Sequence, residues 1–202
     1  VRLAPEPPGP AYIQGVAGGR VVVVPWASRR LGRAVCKHLA DAGAISSGVA
    51  RRVEQLDDMR AEVDRGGGKA YIYPTDLSDH DACTHLIEQV IADHGRVDVL
   101  INNAGRSIRR SVLDSLDRFH DFERTMKLNY FGAIALIMAV ITGMRERQDG
   151  HIINITSIGG QAYPPRFAAY VASKNALDAV PRCFPPEGAA GGIAVTTHPS
   201  PL

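Results

Sequence analysis

Short apolar runs alternate along this chain with longer stretches whose apolar residues recur at helical spacing, so strands and helices are expected in turn. Val21 to Val24 is a run of valines, the signature of a strand buried on both faces of a parallel sheet. Helical sequence from Leu31 to Ala42 follows and is closed by Gly43. The pattern repeats with a strand over Ile45 to Ala50, a helix over Glu54 to Arg65, a glycine loop at Gly66 to Gly68 and a strand over Ala70 to Tyr73. A helix from Asp79 to Asp93, which Ser78 is placed to cap, leads to a strand over Val97 to Ile101. After a loop from Asn102 to Ser111, a long helical region ends near Arg147. A strand over Ile152 to Thr156, a helix carrying Tyr170 and a last strand near Ile193 to Thr197 complete the series. Such alternation predicts an α/β fold, a doubly wound parallel sheet of Rossmann type in three α/β/α layers, with ligands at the carboxyl ends of the strands. Val1 to Gly19 holds Pro5, Pro7, Pro8 and Pro10 without apolar periodicity and reads as a linker or disordered lead-in, which leaves residues 20–202 as a single domain.

Composition narrows the picture without adding a partner. The 202 residues suffice for one well-buried domain, and a net charge of +2 gives no reason to expect nucleic acid. Cys36, Cys83 and Cys183 lie far apart and the seven histidines are scattered, so neither a disulfide framework nor a metal site is expected. The longest apolar stretch, Ile134 to Ile141, is too short to span a bilayer, and no signal-peptide pattern opens the chain, so a cytoplasmic protein without a transmembrane segment is expected. The proline-rich start and the lack of an initiator Met fit a domain cut from a longer polypeptide.

The candidate chemistry lies between Ser157 and Lys174. Ser157 ends the strand before the last long helix, and on that helix Tyr170 and Lys174 stand four apart and share a face. A phenol is a poor acid or base at neutral pH, and an ammonium one helical turn away favours its ionised form. A serine hydroxyl can then hold a substrate oxygen while the tyrosine gives or takes a proton, which suits carbonyl and alcohol chemistry.

In order and spacing, Tyr170-x-x-x-Lys174, Ser157 thirteen residues before Tyr170, Asn102-Asn103-Ala104-Gly105, Asp76-Leu77 and Asn129 resemble the short-chain dehydrogenase/reductase family, from about Val21 to Pro199. Ile101 to Arg110, Asp117 to Met126, Ser157-Ile-Gly and Arg166 to Lys174 are similar to its bacterial fatty acyl-CoA reductase branch. The resemblance implies that Ser157, Tyr170, Lys174 and Asn129 are catalytic, with Asn129 binding a water behind Lys174 and Lys174 also meeting the nicotinamide ribose. It implies that Asp76 and Leu77 meet the adenine, that Asn102, Ala104 and Gly105 line the cofactor cleft, and that Ser28, Arg29 and Gly32 belong to the phosphate loop. On the residues alone, Asn102 and Asn103 are equally turn formers and Asp76 a helix-start residue. A homodimer or homotetramer pairing through residues 125–147 and 166–184 is also implied, although those apolar faces can equally pack on the sheet. The family carries a further strand and a lid after the position of Leu202, so the expected fold is C-terminally truncated.

The first loop departs from the family's Thr-Gly-x-x-x-Gly-x-Gly, because Pro25 to Gly32 keeps only Gly32. Pro25 donates no N–H, and Trp26 and Arg30 carry bulk where the phosphates or the tight turn need room, so impaired cofactor binding is expected. The second strand is polar for a central position, and Pro181 falls inside a helix. Arg51 and Arg52 stand where an NAD enzyme of this fold carries an acidic residue. They point to NADP(H), unless they are plain surface charge. The expected activity is NADPH-dependent reduction of fatty acyl-CoA to aldehyde. The alternatives are a ketoacyl thioester or other ketone or alcohol as substrate, and a non-catalytic binding module. Arg106, Arg109 and Arg110 are placed to meet CoA phosphates or are solvated surface.

Overall fold

In the computed structural model, which describes residues 10–27, 30–183 and 191–200, the valine run becomes β1 (Val21–Pro25), buried along its whole length. A short helix α1 (Pro10–Ala17) precedes it. Then follow α2 (Arg30–Asp41), β2 (Ile45–Ala50), α3 (Val53–Arg65), β3 (Ala70–Pro74), α4 (His80–His94) and β4 (Val99–Asn102). The second half holds α5 (Phe119–Met126), α6 (Gly132–Arg147), β5 (Gly150–Ser157), α7 (Gly159–Ala162), α8 (Ala168–Cys183) and β6 (Ile193–Ser200). A turn of π-helix, Lys127–Phe131, joins α5 to α6.

The six strands are parallel in the order β3-β2-β1-β4-β5-β6. Strand order reverses between β1 and β4, and at such a switch point the loops part and leave a crevice at the carboxyl ends. Alternate valines of β1 face opposite sides of the sheet. Val21 and Val23 join Leu86, Ile87 and Val90 of α4 and Leu136, Val140 and Met144 of α6. Val22 and Val24 join Cys36 of α2 and Leu56, Met59 and Val63 of α3 on the other side. Each fully buried aliphatic side chain contributes about 1.5–3 kcal/mol, and these two layers hold the strand ends in place.

Several expectations change. Residues 10–17 form α1 instead of an unstructured lead-in; its first residue is Pro10, where a missing N–H costs nothing. The Gly18 N–H closes onto the Gln14 carbonyl at 2.9 Å and Ala17 packs on the core, contacts invisible to a search for long periodicity. Residues 1–9 lie outside the described residues. The cap of α4 is Asp79, whose carboxylate accepts the Asp81 and Ala82 N–H groups at 3.0 and 3.2 Å, while the Ser78 hydroxyl turns to Asp76. A charged acceptor suits the positive end of a helix better than a hydroxyl. The polar strand β2 is a full member of the sheet. Gly48 lies against the Met59 methyl and the Ala27 methyl, so a larger residue there would push α3 off the sheet. Pro181 is accommodated in the last turn of α8. Helical structure from Phe119 to Arg147 runs 29 residues and is apolar enough to cross a membrane, longer than the run from Ile134 suggests. In the fold, Leu136, Val140 and Met144 of this helix pack on the sheet.

Candidate active site

Ser157 is the last residue of β5, 5% exposed, and its Oγ accepts the Gly159 N–H at 3.1 Å as α7 begins. Tyr170 lies in the first turn of α8 and is half-buried, with its carbonyl accepting the Ser173 hydroxyl at 2.7 Å. Lys174, one turn further, is 2% exposed. Its Nζ donates to the carbonyls of Ile155 at 2.8 Å and Ala104 at 3.2 Å, which ties α8 to the ends of β5 and β4. Gly105 closes the space beside it, since a Cβ there would stand 3.1 Å from Nζ. Burial pushes the Lys174 ammonium down from 10.5 to about 8, so it still carries its charge at neutral pH, one helical turn from Tyr170.

Asn129 sits in the π turn, fully buried. Its Oδ1 accepts the Arg106 N–H at 2.7 Å, and its Nδ2 donates to the Arg106 carbonyl and to Ser173 Oγ, both at 2.9 Å. The expected water-binding role is therefore narrowed. The amide is committed to bracing the Arg106 turn against α8, and one acceptor position on Oδ1 is left over. The π turn packs on α8, which brings this amide to Ser173. Asn102 also differs from expectation. It is 2% exposed and donates through Nδ2 to Asn154 Oδ1 at 2.9 Å, inside the sheet and away from the cleft wall. Directly paired positions of β4 and β5 bring the two amides together.

The first loop opens on a glycine-like backbone at a residue that is not glycine. Trp26 takes φ 61°, a left-handed conformation that a bulky residue adopts only under constraint. A Cβ at Gly32 would run into the Trp26 carbonyl and stand 3.0 Å from Asn103 Nδ2, which itself donates to the Pro25 carbonyl at 3.4 Å. Gly32 is thus a packing glycine. Ser28 and Arg29 lie outside the described residues.

At the carboxyl ends of β1 to β4 opens a cavity of about 620 Å³. Its walls include Trp26, Arg51 and Arg52, then Asp76 and Leu77, and finally Arg106, Arg124 and Lys127. Asp76 is partly desolvated, which would raise its pKa, but bonds from the Ser78 N–H and hydroxyl and the nearby Arg51 and Lys127 charges win, and the carboxyl is held below the usual range. Arg51 Nη1 stands 3.8 Å from it. Leu77 is buried, and its carbonyl abuts Gly132 of α6, so no side chain fits at that glycine. Arg110 is withdrawn from any cleft role by Asp121 at 3.4 Å, and Arg109 is exposed outside the cavity. Of the arginines in that loop only Arg106 reaches the cavity. Arg124, Lys127 and Ser173 were missed in the sequence, and Trp26, read there only as bulk in the first loop, lines the cavity. The i,i+3 spacing of Arg124 and Lys127 placed them on one helix face, but nothing in it said what that face meets. A second cavity, about 480 Å³, opens beside Ser157 between α7, α8 and β6.

The cavity, the cations around it and the buried lysine suit a dinucleotide whose phosphates lie along the strand ends. Comparison with known proteins agrees. A fatty acyl-CoA reductase of Acinetobacter baylyi is 49% identical over 91% of this chain. The chain spans 62% of that protein, and 53–63% of the curated relatives it matches. The solved structure of an NAD+-bound xylitol dehydrogenase superposes with TM-score 0.85 at 30% identity, covering 91% of this chain and 70% of that one. A metagenomic short-chain oxidoreductase in complex with NADP superposes with TM-score 0.84 at 33% identity, covering 89% and 81%. A six-stranded sheet in this order, the Ser157, Tyr170 and Lys174 arrangement and a family-model match to short chain dehydrogenase over residues 20–200 together make the chain a member of the short-chain dehydrogenase/reductase family of oxidoreductases.

Proposed function

We propose that this chain is the nucleotide-binding and proton-transfer part of an NADPH-dependent reductase that converts fatty acyl-CoA to the aldehyde. The observation that carries the reading is the buried Lys174 one turn from Tyr170 at the strand ends, in a chain 49% identical to a protein named as a fatty acyl-CoA reductase. When bound, the reduced nicotinamide supplies a hydride to the substrate carbon. Ser157 and Tyr170 donate hydrogen bonds to the thioester carbonyl oxygen as negative charge develops on it, and Tyr170 passes its proton there. As the hemithioacetal collapses, its hydroxyl proton returns to the Tyr170 phenolate, the C–S bond breaks with its electron pair leaving on CoA thiolate, and the aldehyde remains. Lys174 keeps a fixed charge behind the phenol, and the Asn129 amide keeps α8 and the Arg106 turn in register. The test supplies NADPH with palmitoyl-CoA, a ketoacyl thioester and a simple ketone, and follows free thiol beside nucleotide oxidation. Thiol release equal to NADPH consumed is expected with palmitoyl-CoA. Oxidation with the ketoacyl thioester alone, without thiol, replaces the reading with ketone reduction.

Support for NADPH over NADH comes from Arg51 and Arg52, which follow β2 into the cavity and suit a ribose phosphate. Arg51→Ala should weaken NADPH binding by about tenfold, near 1.4 kcal/mol, and leave NADH nearly unchanged. Titration with both nucleotides decides it, and equal affinities unaffected by the substitution count against the preference.

Trp26 favours a second reading, a chain of this fold that binds weakly and serves as a module. The residue lines the cavity, and its left-handed φ holds bulk where the fold normally has none. Replacing Trp26 and Arg30 by Gly should tighten NADPH several-fold, because Gly adopts φ > 0 freely and backbone N–H groups can then approach the pyrophosphate. An unchanged dissociation constant would clear the loop as the limiting feature. Failure of the parent chain to bind millimolar NADPH supports the module. The same family reading pairs two copies through α5, α6 and α8, and the exposed Phe131 and Met138 on that helical run support it.

A further inference from the structure

Among the described residues, five cations line the cavity at the strand ends, and they stand on two sides of it. Arg51 and Arg52 form one side, at the end of β2. Arg106, after β4, and Arg124 and Lys127, from α5 and the π turn, bring three more positive charges from elements distant in the chain. Among the described residues Asp76 is the one carboxylate on the walls, and Arg51 Nη1 stands 3.8 Å from it. The carboxylate is already engaged by the Ser78 N–H at 3.0 Å and the Ser78 hydroxyl at 2.8 Å. Among the described residues no carboxylate lies within ion-pairing distance of Arg52, Arg106, Arg124 or Lys127, whereas Arg110 and Arg118 just outside the cavity are both paired with Asp121. Unpaired cations gathered in one concave site repel one another, and an anion of matching charge relieves that repulsion.

CoA ends in adenosine with a 5′-pyrophosphate and a 3′-phosphate, whereas NADPH carries the same adenosine and pyrophosphate with the extra phosphate on the neighbouring 2′ oxygen. Each extra phosphate adds roughly −1.5 to −2 charge at neutral pH. The two oxygens are adjacent on one ribose, so a cavity with cations on two sides can meet either. Building on the acyl-CoA reading above, we infer that Arg106, Arg124 and Lys127 form a subsite for the 3′-phosphate of CoA in this cavity, so that the CoA released by turnover competes with NADPH for its own site. The chain thereby senses its product: as free CoA accumulates, the fraction of chain able to take up reductant falls.

The experiment uses the purified chain and the emission of Trp26, its single tryptophan, which lines the cavity. CoA, dephospho-CoA and NADPH are titrated separately, and CoA is then titrated against bound NADPH by nicotinamide fluorescence. Direct CoA binding is expected, at least tenfold tighter than dephospho-CoA, with a linear rise in apparent NADPH dissociation constant as CoA increases. In the Arg124→Ala, Lys127→Ala double variant, whose substitutions lie on an exposed helix face, CoA affinity should fall at least fivefold more than NADPH affinity. Equal binding of CoA and dephospho-CoA overturns the inference, as does CoA that binds without displacing NADPH, or a double variant that loses both ligands alike. Absence of CoA binding overturns it whether or not NADPH binds. Loss of NADPH binding in the parent chain is the separate result that overturns the reductase reading itself.

Discussion

Turnover of the Tyr170→Phe variant is expected to fall by roughly 10²- to 10⁴-fold, the contribution of a positioned general acid, while the NADPH dissociation constant stays within about twofold. The substitution removes one oxygen from a half-buried side chain. It leaves the Tyr170 carbonyl that accepts the Ser173 hydroxyl, the Lys174 bonds to Ala104 and Ile155, and the packing of α8 on β5 in place. A loss confined to kcat, with substrate and nucleotide affinities kept, is the signature of an interaction made in the transition state. Activity within tenfold of the parent would remove Tyr170 from the chemistry and leave Ser157 and the Lys174 charge as the remaining groups.

Lys174→Met has the second large effect, and it separates activity from stability. Activity should drop at least 10²-fold, because the substitution removes the charge held one helical turn from Tyr170. For stability the sign follows from the direction of the shift. The ammonium ionises at about 8 in the folded chain and at 10.5 in the unfolded one, so between those values the unfolded chain holds more protons. Stability from this group therefore rises with pH from about 8 to 10.5, by on the order of 3 kcal/mol, and below pH 8 its full burial cost is present. Cys36 and Cys83 act oppositely, since burial raises both thiols from 9.0 to about 11 and the folded chain holds the extra protons there. The difference between parent and Lys174→Met unfolding free energies, measured by urea titration at a series of pH values, cancels the thiols and isolates the lysine. A difference that stays flat from pH 7.5 to 10.5 contradicts the burial argument. At neutral pH the variant escapes the burial cost but leaves the Ala104 and Ile155 carbonyls without their donor, so the two effects offset each other.

Much of the architecture could be read from local pattern. The valine run, the glycine that ends α2 and the alternation of apolar runs with helical stretches each depend on neighbours within one element, and each appears in the fold close to its expected bounds. The same holds for Tyr170 and Lys174, whose shared face follows from helical geometry alone. Local pattern failed where a weak signal was rescued by distant contacts. Residues 10–17 form a helix because Gly19 meets Gly43 and Ala17 meets the core, and Asp79 displaces Ser78 as a cap because Ser78 is drawn to Asp76.

The candidate site divides in the same way. Sequence by itself determined which residue types stand at the strand ends and which of them are one helical turn apart, since both depend on spacing along a single element. Only the tertiary structure decided the rest. The carbonyls that hold Lys174 come from positions 70 and 19 residues away, and Asn102 is drawn inward by Asn154, 52 residues on. Arg106, Arg124 and Lys127 share a cavity with Arg51 because β4 lies beside β1 and residues of α5 and the π turn line the same crevice, while Arg109 and Arg110, close by in sequence, are left outside it. Charge and hydrogen bonding act over a few ångströms of space, whereas chain spacing reports that distance only within one helix or strand, so the order in which parallel strands were laid side by side settled which cations and amides meet.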